Sequence, residues 1–259
     1  MLNSHLSTNL FDDGFSILTL PNLEIINVIN EVISNYIGND IQKLVTLERT
    51  AWHKLVLNAQ NELNSRGVLE MIASTVGSKI SSFFPGEDLG YVNVVKLRAV
   101  RPASMINCQD HVPYHRETLY AKLPHQVKHQ YNLWIPCTSS AVSSGLSFWP
   151  KSHQLSDDLL LIKEDPNHPC TVQRFSAGHA IGLPYKPKII VNNKSDIAES
   201  LNVPIGSALI FSAMLVHGNG INRTNEVRYS VDTGILPASA LIRNEELFAA
   251  GGKPHYIFF

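Results

Sequence analysis

Apolar residues recur at helical spacing in the first third of the chain and at strand spacing in the rest. Leu23, Ile26, Ile29, Val32 and Ile33 share one face of a helix that Pro21-Asn22 opens and Gly38 ends. A more polar helical region follows over 40–64. Leu69, Ile72, Val76 and Ile80 form a clearer stripe, which predicts a helix over 66–82 stopped by Phe83-Phe84-Pro85-Gly86. Ahead of these helices, 8–20 reads as an extended entry with a turn at Asp12-Asp13-Gly14.

After Leu89 the pattern changes to short apolar runs bounded by proline, glycine and asparagine. Strands are predicted over 91–100, 131–136, 146–150 and 188–191, with an irregular polar segment over 103–112. The stretch 207–216 is apolar at almost every position, which predicts a strand buried on both faces with His217 at its end. The strand over 227–236 is asymmetric. Val227, Tyr229, Val231, Thr233 and Ile235 share one face, and Arg228, Ser230 and Asp232 share the other. The prolines at 166, 169, 184 and 187 punctuate an irregular excursion over 154–200, which reads as a lid or binding loop. Helices in front and successive strands behind predict a mainly β (α+β) protein. Its core is an antiparallel double-sheet jelly roll, a double-stranded β-helix, with the N-terminal helices packed outside. The expected layout is one domain over 1–259, with helical support over 1–88, the jelly-roll core over 89–237 and a C-terminal segment over 238–259.

Composition narrows the function. A hydrophobic fraction of 44% suits an ordinary globular core. A net charge of −1 with no basic patch argues against nucleic acid or an anionic membrane as partner. The apolar runs are too short to span a bilayer, and the N-terminus has no basic region followed by an apolar run. Cys108, Cys137 and Cys170 are sparse and unpaired in sequence, which favours a reducing compartment and a cytoplasmic protein.

The chemistry gathers at Tyr114-His115-Arg116-Glu117. On an extended backbone His115 and Glu117 point the same way. Alone, such a triplet is equally well read as exposed loop residues. With His217 as a distant third member it becomes two histidines and a carboxylate, the facial set that holds non-haem Fe(II) and leaves positions open. Arg228 then has two readings. It is a bidentate clamp for a free carboxylate, with Ser230 donating to the same group, or it is a core ion pair with Asp232. Lys96, Arg98, Tyr114, Arg116 and Tyr120 are candidate substrate-facing groups, and for Lys96 and Arg98 a solvated strand face is an equal reading. His111 competes as a ligand but has no carboxylate two residues after it, and Asp110 beside it would point away on a strand; His125, His129, His153 and His179 are read as polar loop or supporting residues.

On these residues the sequence resembles the phytanoyl-CoA dioxygenase-like family of Fe(II)/2-oxoglutarate-dependent oxygenases. The family pattern is His-x-Asp/Glu, a distal His, and an Arg one strand later, matched by His115, Glu117, His217 and Arg228. Further resemblance lies in Trp134-Ile135-Pro136, in the run from Gly145 to Pro150-Lys151-Ser152-His153, and in His217-Gly218 followed by Asn222. Glutamate stands where the family more often has aspartate. The resemblance implies a dioxygenase with Fe(II), 2-oxoglutarate and dioxygen as cofactors and a small-molecule substrate such as a sugar or natural-product intermediate. Its reaction would be a hydroxylation releasing succinate and CO2. A carboxylate at 117, rather than a small aliphatic residue, favours hydroxylation over halogenation. The rival readings are a cupin-like, metal-dependent isomerase or epimerase, and a non-catalytic jelly-roll binding module.

Overall fold

In a computed structural model of the chain, the described residues are 9–106, 110, 112–119, 127–139, 144–164, 188–191, 201–241 and 256–259. Tyr120, Cys108, Cys170, His111, His125, His179 and most of the proline-punctuated excursion lie outside them.

The helices are α1 (Leu10–Asp13), α2 (Glu24–Tyr36), α3 (Ile41–Thr46), α4 (Arg49–Ser65), α5 (Val68–Ser81) and α6 (Ala103–Ile106). The α2 stripe Ile25, Ile26, Ile29, Val32 and Ile33 is buried. The polar helix α4 still presents Trp52, Val56, Ala59 and Leu63 at helical period, which is enough to seat it. Gly67, with φ of 70°, takes the left-handed conformation that separates α4 from α5. Ile29 has no exposed surface, and truncating it to alanine is expected to cost about 2–5 kcal/mol.

The strands are β1 (Phe15–Thr19), β2 (Leu89–Val92), β3 (Lys96–Val100), β4 (Tyr131–Pro136), β5 (Leu146–Trp149), β6 (Ile162–Glu164), β7 (Lys188–Ile190), β8 (Ser207–Ser212), β9 (Val216–Asn219), β10 (Arg228–Pro237) and β11 (Tyr256–Phe258). Seven of them form one antiparallel sheet in the order β1-β8-β4-β10-β2-β11, with β3 also paired to β10. Opposite it, β5 pairs with β9, and β6 with β7. The segment at Tyr114-His115 joins these two ribbons: His115 bridges to His217 in β9, and Tyr114 accepts a hydrogen bond from Ile190 in β7. The result is the expected jelly roll with an antiparallel core and outer helices; among the described residues the sheets do not close into a barrel.

The outer face of the large sheet carries Leu133, Ile135, Val227, Tyr229, Val231 and Ile235 into the core shared with the helices. The inner face carries Phe15, Trp134, Leu209 and Phe211, packed against Leu146 and Phe148 of the small sheet. The alternation along β10 therefore sorts its residues as the sequence predicts. Arg228, Ser230 and Asp232 face inward.

Two predicted strands are each divided. The stretch 91–100 breaks between β2 and β3, because Asn64 of α4 both donates to the Val95 carbonyl (2.9 Å) and accepts from its amide (2.8 Å). The apolar stretch 207–216 turns at Ala213–Leu215, where Leu215 donates to the Ser212 carbonyl over 2.9 Å. It thus carries the chain from the large sheet to the small one. His217 is therefore the second residue of a new strand, not the end of the apolar one. The polar segment after β3 contains α6, and Arg101 locks it down. That side chain, 1% exposed, holds Asp110 through Nε (2.9 Å) and Nη2 (3.1 Å), donates to the Leu47 carbonyl (2.8 Å) and lies over Trp52.

Candidate active site

His115 and His217 exchange both backbone hydrogen bonds, His115 N to His217 O at 2.9 Å and His217 N to His115 O at 3.0 Å. Residues paired in this way on antiparallel neighbours project to the same face. Their rings lie 4.4 Å apart by centroid, tilted by 50°. Each Nδ1 sits 2.8 Å from a backbone carbonyl, Pro113 for His115 and Leu215 for His217. A carbonyl only accepts, so Nδ1 carries the proton in both rings and Nε2 is the atom turned to the interior.

Glu117 opens a short 3-10 turn just after this bridge. Its Oε1 lies 3.5 Å from His217 Nε2 and 3.9 Å from His115 Nε2. The three side chains together could hold a metal ion, with ligand atoms all within 4.8 Å of one another. Electrostatics supports that use. Burial and the neighbouring His217 lower the His115 pKa to about 4, so the ring is neutral near pH 7. Burial pushes the Glu117 carboxyl up, but the closeness of His217 and His115, and then the Lys96 charge, outweigh it and hold the group well below the usual carboxylate range. Two imidazole nitrogens and a carboxylate oxygen facing one point repel unless a cation joins them. A shared proton does this weakly, and a divalent ion does it better, releasing the proton.

Arg228 has no exposed surface. Its Nη1 donates to the carbonyls of Ser144 (2.7 Å) and Gly145 (3.4 Å), while Nε and Nη2 are buried without a hydrogen-bond partner. Burial, then the charge of Arg98, lowers its pKa to about 10. The core ion-pair reading fails because Asp232 pairs with Arg98 instead, at 2.5 Å. An edge of guanidinium with two unmet donors fits a carboxylate held side-on. Ser230 accepts from Trp134 Nε1 at 2.9 Å and keeps its own hydroxyl proton to donate.

Lys96 and Arg98 stand on β3 beside Asp232 and Ser230 of β10. Arg98 is about half exposed, and the charges of both reach Glu117. Both therefore lie within electrostatic reach of the His–Glu–His group. Tyr114 and Arg116 are held elsewhere. Tyr114 packs on the far side with Leu160, Ile190 and Val216. Arg116, fully buried, binds Asp157 (2.6 Å) and the carbonyls of Ser152 and Leu155. Its guanidinium is committed to the 152–157 segment. It is a structural anchor, not a substrate group.

The remaining motif residues are structural. His153 Nε2 donates to the Phe11 carbonyl (2.9 Å), and Ser152 Oγ donates to the Trp149 carbonyl and accepts from Val216 N (2.8 Å). Asn222 donates to the carbonyls of Val100 and Glu226, both at 2.8 Å, and so fixes the turn into β10. Sequence reasoning overlooked Asn132, whose Nδ2 donates to Glu117 Oε1 over 3.3 Å. Its only sequence signal is an amide two residues before Trp134, on the inward parity of β4.

The family model described as phytanoyl-CoA dioxygenase (PhyH) matches residues 58–230, which span both histidines, Glu117 and Arg228. The chain belongs to the phytanoyl-CoA dioxygenase family. Its expected cofactors, Fe(II), 2-oxoglutarate and dioxygen, are those of that family. Among solved structures the chain is similar to EvdO2 from Micromonospora carbonacea var. aurantiaca. The two share 14% identity and a TM-score of 0.55 over 98% of this chain and 96% of that one. The same protein complexed with 2-oxoglutarate gives 13% identity and a TM-score of 0.54 over the same shares. At that identity the likeness establishes the phytanoyl-CoA dioxygenase-type fold and no more. No curated protein matches the chain. Among the described residues, no helix is long and apolar enough to cross a membrane.

Proposed function

We propose that this member of the family hydroxylates a small-molecule substrate, consuming 2-oxoglutarate and dioxygen and releasing succinate and CO2. His115, Glu117 and His217 are the iron ligands in this reading, and Arg228 with Ser230 binds the far carboxylate of 2-oxoglutarate. The observation that carries it is the guanidinium of Arg228, fully buried with two unmet donors and on the same inward parity of β10 as Ser230 and Asp232. When bound, iron with 2-oxoglutarate supplies the oxidising chemistry. The chain's own residues bind, orient and exclude water. The imidazoles lend Nε2 because their Nδ1 protons are committed to carbonyls. Phe211, with ring centroid 4.9 Å from that of His217, and Phe148 wall the metal position with apolar surface. Lys96 and Arg98 orient polar or anionic groups of the substrate.

The test is anaerobic addition of Fe(II) and 2-oxoglutarate to metal-free protein. A weak visible charge-transfer band is expected, followed by succinate release on admitting air. His115→Ala is expected to lose the band. Wild-type protein giving neither band nor succinate would overturn the oxygenase reading and leave a non-redox metal enzyme.

A further inference from the structure

Glu117 is the least constrained member of the candidate metal group. Its side chain is 31% exposed, against 11% and 6% for the side chains of His115 and His217. A glutamate has one more rotatable bond than an aspartate, so holding its carboxylate in place costs more rotamer entropy. Packing does not supply that restraint here. Hydrogen bonds do.

A carboxylate only accepts, so Asn132 must present its NH2 to Glu117 Oε1, 3.3 Å away. The Asn132 carbonyl then faces Gln130, which must present its own NH2, at 2.9 Å. The Gln130 carbonyl in turn faces Tyr256, whose phenol donates over 3.4 Å. Every orientation in this series follows from the charge at its end. The backbone runs parallel to it. Ala213 donates to the Gln130 carbonyl (2.9 Å) and accepts from Glu117 N (3.1 Å), so one residue ties both ends. The register leaves room for the series as well. Gly234 lies opposite Asn132 on β10, and a Cβ there would come within 2.8 Å of Gln130 Nε2 and 2.7 Å of a Val92 methyl.

We propose that Asn132 is a positioning residue for Glu117, held in its donating orientation by Gln130 and by Tyr256 of the C-terminal strand. This rests on the reading of Glu117 as a metal ligand. It gives β11 a task at the metal centre, and it accounts for how a longer carboxylate arm is steadied.

The test is calorimetric titration of the metal-free full chain with Mn(II), alongside thermal melts. Asn132→Leu keeps the size and removes the donor. It is expected to raise the Mn(II) Kd by roughly 10–100-fold, as for other residues that orient a ligand. Tyr256→Phe is expected to raise it less, in the same direction. In a Glu117→Asp background, whose shorter arm draws away from Asn132, the Asn132→Leu change is expected to lose its effect. A merely structural residue would lower the melting temperature and leave the Mn(II) Kd alone. That outcome, or a Kd for Asn132→Leu within twofold of wild type while His115→Ala abolishes binding, overturns the inference and spares the metal site. If His115→Ala binds Mn(II) like wild type, the metal reading itself falls. Should Asn132→Leu not fold, Gln130→Leu carries the same threshold.

Discussion

Replacing Arg228 by methionine separates a cosubstrate clamp from a structural cation. In the ligand-free protein the exchange has two opposing effects. It removes two buried donors without partners, each costing about 1–3 kcal/mol, and it loses the 2.7 Å bond from Nη1 to the Ser144 carbonyl, while the Gly145 carbonyl keeps its bond from Gly220 N (2.7 Å). The first effect is at least as large as the second, so stability is not expected to fall by more than about 1 kcal/mol. With 2-oxoglutarate the balance differs. Two charge-assisted hydrogen bonds to a carboxylate contribute about 1.5–3 kcal/mol each. Even the low end, about 3 kcal/mol in total, is a loss of more than 100-fold in affinity. At a concentration 100 times the wild-type Kd, 2-oxoglutarate stabilises wild type by about 2.7 kcal/mol and the variant by roughly 0.4 kcal/mol. For a chain of this size that is a ligand-induced rise in Tm of about 5–10 °C falling to about 1–2 °C. Differential scanning fluorimetry of Mn(II)-loaded protein, with and without 2-oxoglutarate, reads it directly. A variant that keeps the wild-type shift would refute the clamp. A ligand-free variant melting more than about 10 °C below wild type would show that the guanidinium is structural after all.

Three further outcomes are expected. Asp110→Asn breaks a buried bidentate pair with Arg101, whose side chains are 4% and 1% exposed, and should cost about 3–5 kcal/mol in chemical denaturation. Burial first lowers the pKa of His53, and burial with the His217 charge lowers that of His115, to about 4 in each case. The unfolded chain takes up these protons near pH 6.5 and the folded metal-free chain does not. Stability is therefore complete above about pH 6.5 and declines as pH falls to about 4; a urea midpoint flat across that window would contradict the assignment. Finally, burial pushes the Cys137 thiol up to about 12, and the residue is 3% exposed. Iodoacetamide at pH 8 should leave it unmodified until the protein is denatured, as read by peptide mass mapping.

How much of this was legible in the sequence depended on whether the signal was local. The inward set Arg228, Ser230 and Asp232 followed from a period of two along one strand, and the structure keeps that alternation. The helices followed from stripes such as Leu69, Ile72, Val76 and Ile80. What was not legible depends on partners remote in sequence. The break between β2 and β3 is imposed by Asn64 on a helix, and the turn after Ser212 changes sheets inside an unbroken apolar run. The pairing of Arg98 with Asp232 resolved a question about Arg228 that the strand alone left open. Arg116 was misplaced because its neighbours drew it into the site by proximity, whereas its partners over 152–157 are remote in sequence. Asn132 could not be singled out, because its role depends on a carboxylate delivered by a different segment.

The backbone exchange between His115 and His217 has a consequence for how this chamber can be altered. The separation of the two rings is set by ladder register, a property of main-chain atoms, and not by the contents of the polypeptide between them. Much of that intervening length can therefore be lengthened, shortened or grafted while the distance between the imidazoles holds, provided β5 and β9 still pair. A one-residue slip of either partner has the opposite result: it turns an imidazole to the outer surface in a single step, with no intermediate geometry. Specificity in such a scaffold can vary freely around a centre that itself tolerates almost no gradual change.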